Sequence, residues 1–262
     1  MTVEKLAELL NTQPRAPEES KVLSELRTHW MEALSRPLWY KQLQTEIVSL
    51  LFAKNNGDSR QRWIRRQLIA TIGCALKAGI IPLSPADEFA DFDSEREPIS
   101  DIVIHHTEGR PQTTPDELNA LGFIFQYTKN FLAGPILGKS VENKPVGSGH
   151  VINGRQVFYA YHYLVNCDGE VVRLLHDTHI GWHAGNWNVN KRSVGIALAG
   201  NFDDCPPPQS QLDAVIDLIR NQYPNIEPQR VYGHYQVNFS KTCPGITYAN
   251  LWKKTLLERL EQ

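Results

Sequence analysis

Apolar residues recur at helical spacing through the first eighty or so positions of the chain. Val22, Leu26, Trp30 and Leu34 form one stripe, and Leu43, Ile47, Leu50 and Leu51 form a second. This spacing turns one face of a helix toward a core. Arg36-Pro37, Asn55-Asn56-Gly57-Asp58 and the run from Gly79 to Pro82 punctuate the pattern, because proline and glycine end helices and open turns. Three or four helices are therefore predicted. The stretch Ser84–Pro98 is acidic, turn-rich and aperiodic, which reads as a linker. It divides the chain into a helical N-terminal domain with its linker, residues 1–95, and a second domain, residues 96–262.

Past the linker the texture changes. The β-branched run Ile102 to Ile104, ending in His105-His106, predicts a buried strand. Thr114-Pro115-Asp116-Glu117 carries the signature of a helix start, with the helix expected to reach Leu132. The Gly-, Pro- and Lys-rich run from Gly134 to Arg155 reads as a long loop. Val157 to Val165 and Glu170 to Leu175 predict two strands joined by a tight turn at Asp168-Gly169. Ser193 to Leu198 predicts another buried strand, Gln209 to Tyr223 an amphipathic helix, Val231-Tyr232 a last short strand, and Thr247 to Leu260 a closing helix. Strands interleaved with helices predict an α/β core with helices on the sheet faces.

Composition narrows the function classes. With 41% hydrophobic and 21% charged residues the chain of 262 residues has a globular profile. A net charge of -2 lacks the basic balance of a nucleic-acid binder. The apolar run Leu68 to Ala78 is interrupted by Thr71, Gly73 and Lys77 and is too short to cross a bilayer, so no membrane span is expected. The first twenty residues lack a basic start and an unbroken apolar stretch, so synthesis in the cytoplasm without an export signal is expected. Four scattered cysteines, Cys74, Cys167, Cys205 and Cys243, do not make a disulfide framework. They fit reduced thiols with one metal ligand among them.

The candidate chemistry sits in two places. His105 and His106 stand at a strand end, where a rigid sheet presents side chains to solvent, although adjacent histidines are more often packing and surface residues. The run Gly233 to Gly245 sets His234 and Cys243 nine positions apart across a loop. Two nitrogens and one sulfur leave a fourth tetrahedral position for water, the layout of a catalytic zinc site. A buried cysteine beside a Pro-Gly turn and a histidine capping a strand account for the same residues equally well.

The segments IVIHHT, YHYLVNCDGEV, WHAGNW, SVGIALAGNF and GHYQVNFSKTCPG resemble, in order, the motifs of type 2 N-acetylmuramoyl-L-alanine amidases. That family includes bacteriophage amidase-lysozymes and animal peptidoglycan recognition proteins. The resemblance leaves out the first 95 residues and implies a central mixed β-sheet flanked by helices. It also implies one zinc ion (Zn2+) per chain on His105, His234 and Cys243, and cleavage of the amide between the lactyl group of N-acetylmuramic acid and L-alanine in bacterial peptidoglycan. It marks Tyr161 and Lys241 as catalytic helpers, a phenol and an ammonium suited to a developing oxyanion. Trp182, His183, Asn186 and His106 are candidate substrate contacts, His106 without a metal role.

Recycling amidases similar to this family carry an acidic residue at the position of Ala197 and an aspartate ligand at that of Cys243. The resemblance therefore favours a wall-lytic, endolysin-like enzyme that meets the wall after pore-mediated release or injection. A cytosolic recycling amidase and a peptidoglycan-binding module without catalysis are the alternatives, and non-catalytic recognition proteins replace the cysteine. Arg60, Arg62, Arg65 and Arg66 around Trp63 give the N-terminal helices a basic run suited to anionic wall polymer or a protein partner.

Overall fold

The computed structural model describes residues 16–51, 59–82, 92–109, 111–127 and 148–262. The punctuation at Asn55 to Asp58, most of the acidic linker, the expected end of the helix at Leu132 and residues 134–147 of the expected loop lie outside the described residues. Two compact units are present: residues up to 88 together with 119–148, and residues 89–118 together with 149–262.

The first unit holds α1 (Ala16–Leu34), α2 (Trp39–Leu51) and α3 (Ser59–Lys77). Of the stripes read from sequence, Leu26, Trp30, Leu34, Leu43 and Ile47 are buried and Val22 is half-buried; Ile64, Leu68 and Ile72 are buried with them, and the three helices pack on one another. One buried carboxylate is satisfied there, since Glu46 accepts from the Trp30 indole at 2.6 Å and lies 2.8 Å from His29 Nε2. A further helix, α4 (Pro115–Tyr127), opens as expected, with Thr114 Oγ1 accepting from the Glu117 N–H at 3.3 Å. Its residues from 119 onward group with the helical unit. There the rings of Phe123 and Tyr127 lie 5.2 and 4.6 Å from that of Trp39, and Tyr127 donates to the Tyr40 carbonyl at 2.7 Å. The start signature identified this helix; it does not reveal which core the helix joins.

The second unit is built on a five-stranded sheet of order β5-β4-β6-β1-β7. Its strands are β1 (Asp101–His106), β4 (Tyr163–Val165), β5 (Val171–Arg173), β6 (Ser193–Leu198) and β7 (Val231–Gly233). The neighbours β4, β6, β1 and β7 run parallel, and β5 is an antiparallel edge, which makes the sheet mixed. Two short strands, β2 (His150–Ile152) and β3 (Arg155–Val157), form a separate hairpin. The expected strand Val157 to Val165 is thus two strands with different partners. The expected turn holds: Gly169 takes φ 94°, where a side chain is disfavoured, between the paired strands β4 and β5. The closing helix begins as a π-turn at Tyr248–Trp252 before α5 (Lys253–Leu260).

Alternation along β1 and β6 sorts the two faces of the sheet. Ile102 and Ile104, with Val194, Ile196 and Leu198, pack in a cluster with Leu212, Val215, Ile216 and Ile219 of helix Gln209–Gln222 and with Leu256. The other face carries Val103 and His105 from β1 and Ser193, Gly195 and Ala197 from β6, with Val103 packed against Ala184 and Val189. The residues of β6 on this face are small, and their size leaves room for a polar layer.

Trp39 anchors Phe123 and Tyr127, so Trp39→Ala is expected to destabilise the protein by about 3–5 kcal/mol. Its half-exposed neighbour Leu38, 45% exposed, is expected to cost under about 0.5 kcal/mol when changed to alanine. Denaturant unfolding measures both, and equal costs would contradict this packing.

Candidate metal centre

The two strand ends that carry histidine are adjacent. Ile104 of β1 pairs with Gly233 of β7, and because the strands are parallel their C-terminal ends lie along one edge of the sheet. His105 follows Ile104 and His234 follows Gly233. The loop after His234 returns Cys243 to the same edge, where the Tyr235 N–H donates to the Cys243 carbonyl at 2.9 Å. One potential ligand atom from each of His105, His234 and Cys243 lies within 4.8 Å of the other two. Ligands of parallel-sheet proteins gather at this end of the strands.

Inner partners preset the two imidazoles. His105 Nδ1 lies 3.6 Å from Cys243 Sγ, and its Nε2 lies 3.0 Å from His183 Nδ1. With Nδ1 facing the thiol, Nε2 carries the proton and donates to His183, whose own Nε2 lies 3.2 Å from Ser193 Oγ. His234 Nε2 donates to the Ala184 carbonyl at 3.2 Å, which leaves its Nδ1 for the centre. The Ala184 N–H in turn donates to Asn190 Oδ1 at 2.8 Å. Histidine ligands of metals characteristically donate the second ring N–H to such partners. At tetrahedral zinc, with Zn–N about 2.0–2.1 Å and Zn–S about 2.3 Å, nitrogen and sulfur corners stand about 3.6 Å apart. The His105–Cys243 separation matches that edge, and the donor set fits zinc.

Burial sets the protonation states. It holds His105 and His183 well below the usual histidine range, with the neighbouring imidazoles adding to the effect. Burial, then the charge of Arg96, takes His162 down to about 3. Burial and the charge of Lys241 take His234 to about 4, against the opposing hydrogen bond to Ala184. All four imidazoles are neutral at pH 7, as ligands require. Burial pushes the Cys243 thiol up to about 12, and a cation among the three donors would be the charge to draw its proton off.

The remaining sequence candidates fall in different surroundings. The Tyr161 ring lies 4.9 Å from that of His105, and burial raises its phenol well above the usual range. Lys241 is exposed on the loop before Cys243. His183, expected among the substrate contacts, is buried with both ring nitrogens engaged by His105 and Ser193, so it backs a candidate ligand instead. His106, also expected there, is buried on the opposite face of β1 and accepts from the Phe202 N–H at 3.3 Å. The physical reason is the twofold period of the strand. Asn186 is exposed and caps a short helix through Val189 N–H. Trp182 packs 4.9 Å from Phe92 and 5.7 Å from Trp187.

Sequence reasoning missed Ser193, Asn190 and His162. His162 accepts from Gly195 N–H at 3.1 Å and donates to the His179 carbonyl at 3.0 Å. Gly195 carries a signal of its own, because a Cβ there would sit 2.6 Å from the His183 ring.

These neutral histidines generate an acid limit. Their folded pKa values are depressed, so the unfolded chain binds the protons first. Stability is complete above the unfolded value of 6.5 and falls as pH drops toward about 4 for His234 and about 3 for His162. Each contributes a slope of up to about 1.4 kcal/mol per pH unit inside that window. Denaturation midpoints of the metal-free protein should therefore fall steadily below pH 6.5 and less steeply for His162→Gln; a flat profile from pH 7 to 5 would contradict this.

Comparison with known proteins agrees with the motif reading. A stretch of 97 residues is 36% identical to a peptidoglycan-recognition protein of Drosophila melanogaster, covering 36% of this chain and 52% of that protein. Over 92 residues the chain is 34% identical to a second such protein of the same fly, peptidoglycan-recognition protein SD, covering 34% and 48%. The chain thus spans about half the length of these curated relatives. Among solved structures, the endolysin N-acetylmuramoyl-L-alanine amidase LysCS from Clostridium intestinale superposes with a TM-score of 0.45 at 23% identity, covering 69% of this chain and 93% of that one. Residues 95–246, more than half of the chain and inclusive of every donor of the candidate centre, match the family described as N-acetylmuramoyl-L-alanine amidase, and the chain belongs to that family.

Proposed function

We propose that the protein is a zinc-dependent N-acetylmuramoyl-L-alanine amidase that cuts the lactyl–L-alanine amide of bacterial peptidoglycan as a wall-lytic, endolysin-like enzyme. The observation that carries this reading is the convergence of His105, His234 and Cys243 within 4.8 Å at the C-terminal edge of the sheet. A module that only binds peptidoglycan has no use for three preset donors.

His105 and His234 would hold the ion through Nδ1, and Cys243 through Sγ. When bound, the zinc supplies Lewis-acid polarisation of the scissile carbonyl and makes water a competent nucleophile near neutral pH. Tyr161 lies beside His105 and stays protonated throughout the neutral range, so it donates a hydrogen bond to the oxygen that gains negative charge. Lys241 brings a cation on the loop that carries Cys243 and favours the same charge. His183 and Ser193 act through His105 by fixing its tautomer and ring orientation. Ala197, opposite His105 in the sheet register, offers no acid at that position, which favours wall peptidoglycan over recycling fragments as substrate.

Mass spectrometry of peptidoglycan digested by the zinc-loaded chain tests the reaction. Stem peptides with a free L-alanine amino group are expected, with the glycan strands uncut. Glycosidic or peptide–peptide cleavage would overturn the assignment, as would intact wall that the protein merely binds.

The roles separate under mutation. Tyr161→Phe is expected to keep zinc and lose about 10- to 1,000-fold in turnover. His183→Gln is expected to weaken zinc binding by about 10- to 100-fold. Zinc titration and kcat measured side by side distinguish them, and zinc loss in Tyr161→Phe would contradict its place outside the ligand set.

A further inference from the structure

Asp93, His150 and His179 come together from three separate segments of the second unit. Asp93 lies in the 3-10 turn Phe92–Glu95, His150 opens β2, and His179 lies in the loop that leads into Gly181-Trp182-His183. Asp93 Oδ2 is 2.7 Å from His179 Nδ1, Asp93 Oδ1 is 3.4 Å from His150 Nε2, and the imidazole centroids are 4.9 Å apart. One ligand atom from each residue lies within 4.8 Å of the other two.

We infer that Asp93, His150 and His179 form a second site for a divalent cation of the zinc class, distinct from the His105–His234–Cys243 centre and structural in role.

Two imidazoles and one carboxylate are a set that zinc accepts, with one tetrahedral position left for water. Nitrogen and oxygen corners around zinc stand about 3.3–3.5 Å apart. The Asp93–His150 separation already has that value. The shorter Asp93–His179 separation is that of a hydrogen bond, and it lengthens by about 0.6–0.8 Å when a cation replaces the shared proton. The site is backed and open in the right places. The His150 side chain is 1% exposed, whereas those of Asp93 and His179 are 20% and 28% exposed, which gives the ion and its water an entry. The carboxylate is anchored independently by the Ile180 N–H at 2.7 Å. The Phe92 ring fills the space above Gly149, where a Cβ would sit 2.3 Å from it, so Asp93 and His150 are held close by packing as well. Burial opposes ionisation of Asp93, but hydrogen bonds from both histidines and from Ile180 outweigh it and keep the carboxylate charged.

A cation here ties the 92–95 turn, the β2–β3 hairpin and the loop at His179 together. The His179 carbonyl also holds His162, and His183, which backs His105, follows four residues later. The second ion therefore stabilises the loop that orients the first centre.

The test counts metal in the full chain after zinc or cobalt loading and gel filtration in metal-free buffer. The wild type is expected to retain about two ions per chain, and Cys243→Ser about one. The cobalt form of Cys243→Ser should show no thiolate-to-cobalt charge transfer, because its ion sits on nitrogen and oxygen. Asp93→Asn and His179→Gln should each keep one ion together with the thiolate band. Retention of a single ion by the wild type, or of two by both of these variants, overturns the inference. Crystals of the zinc-loaded wild type decide the same question without a variant: anomalous density among Asp93, His150 and His179 supports the site, and its absence there, with density at Cys243, refutes it.

Discussion

Parallel pairing of β1 with β6 and β7 is the constraint on which the site depends. The register sets His105 against Ala197 and Ile104 against Gly233, so the histidines that follow the apolar runs emerge at one edge. The same register gives one sheet face to Ile102, Ile104, Val194 and Ile196 and the other to Val103, His105, Ser193 and Gly195. A slip of one residue in β1 would exchange His105 for His106 at the centre and turn Ile102 and Ile104 out of the apolar cluster. Burying the isoleucine side is therefore what specifies which histidine faces the centre.

That choice creates a polar layer inside the protein. His105, His162 and His183 are each 5% exposed or less, and an unsatisfied imidazole at such depth costs about 1–3 kcal/mol. The hydrogen bonds to Ser193 and to backbone groups at Gly195, His179 and Ala184 offset this cost and at the same time select one tautomer for each ring. A satisfied network of this kind rigidifies what it touches. Stability and preorganisation of the candidate donors are thus one arrangement, with sensitivity to acid as its consequence.

Much of this was legible in the order of residues. Strands ending in His105 and before His234, the turn at Asp168-Gly169 and the helix start at Thr114 rest on local rules, and the structure follows them. The facing of His106 and His183 was not legible, because every residue of β1 is buried and so carries no apolar–polar alternation to read. His183 sits in a motif that looks like a groove lining, and only the absence of a side chain at Gly195 hints that it points inward. The signature at Thr114 identified a helix without naming Trp39 as the partner of its Phe123 and Tyr127 rings. Asp93, His150 and His179 are far apart in sequence and form no motif, so only the folded chain brings them together.

The most direct test of the central claim, that the inner partners preset His105 and His234 for a metal, is a crystal structure of the zinc-loaded protein. The account predicts zinc on Nδ1 of both histidines and on Cys243 Sγ, with His105 Nε2 still donating to His183 and His234 Nε2 to the Ala184 carbonyl. Zinc bound through either Nε2 with the ring turned over, or zinc at this edge without the Cys243 sulfur, would contradict it.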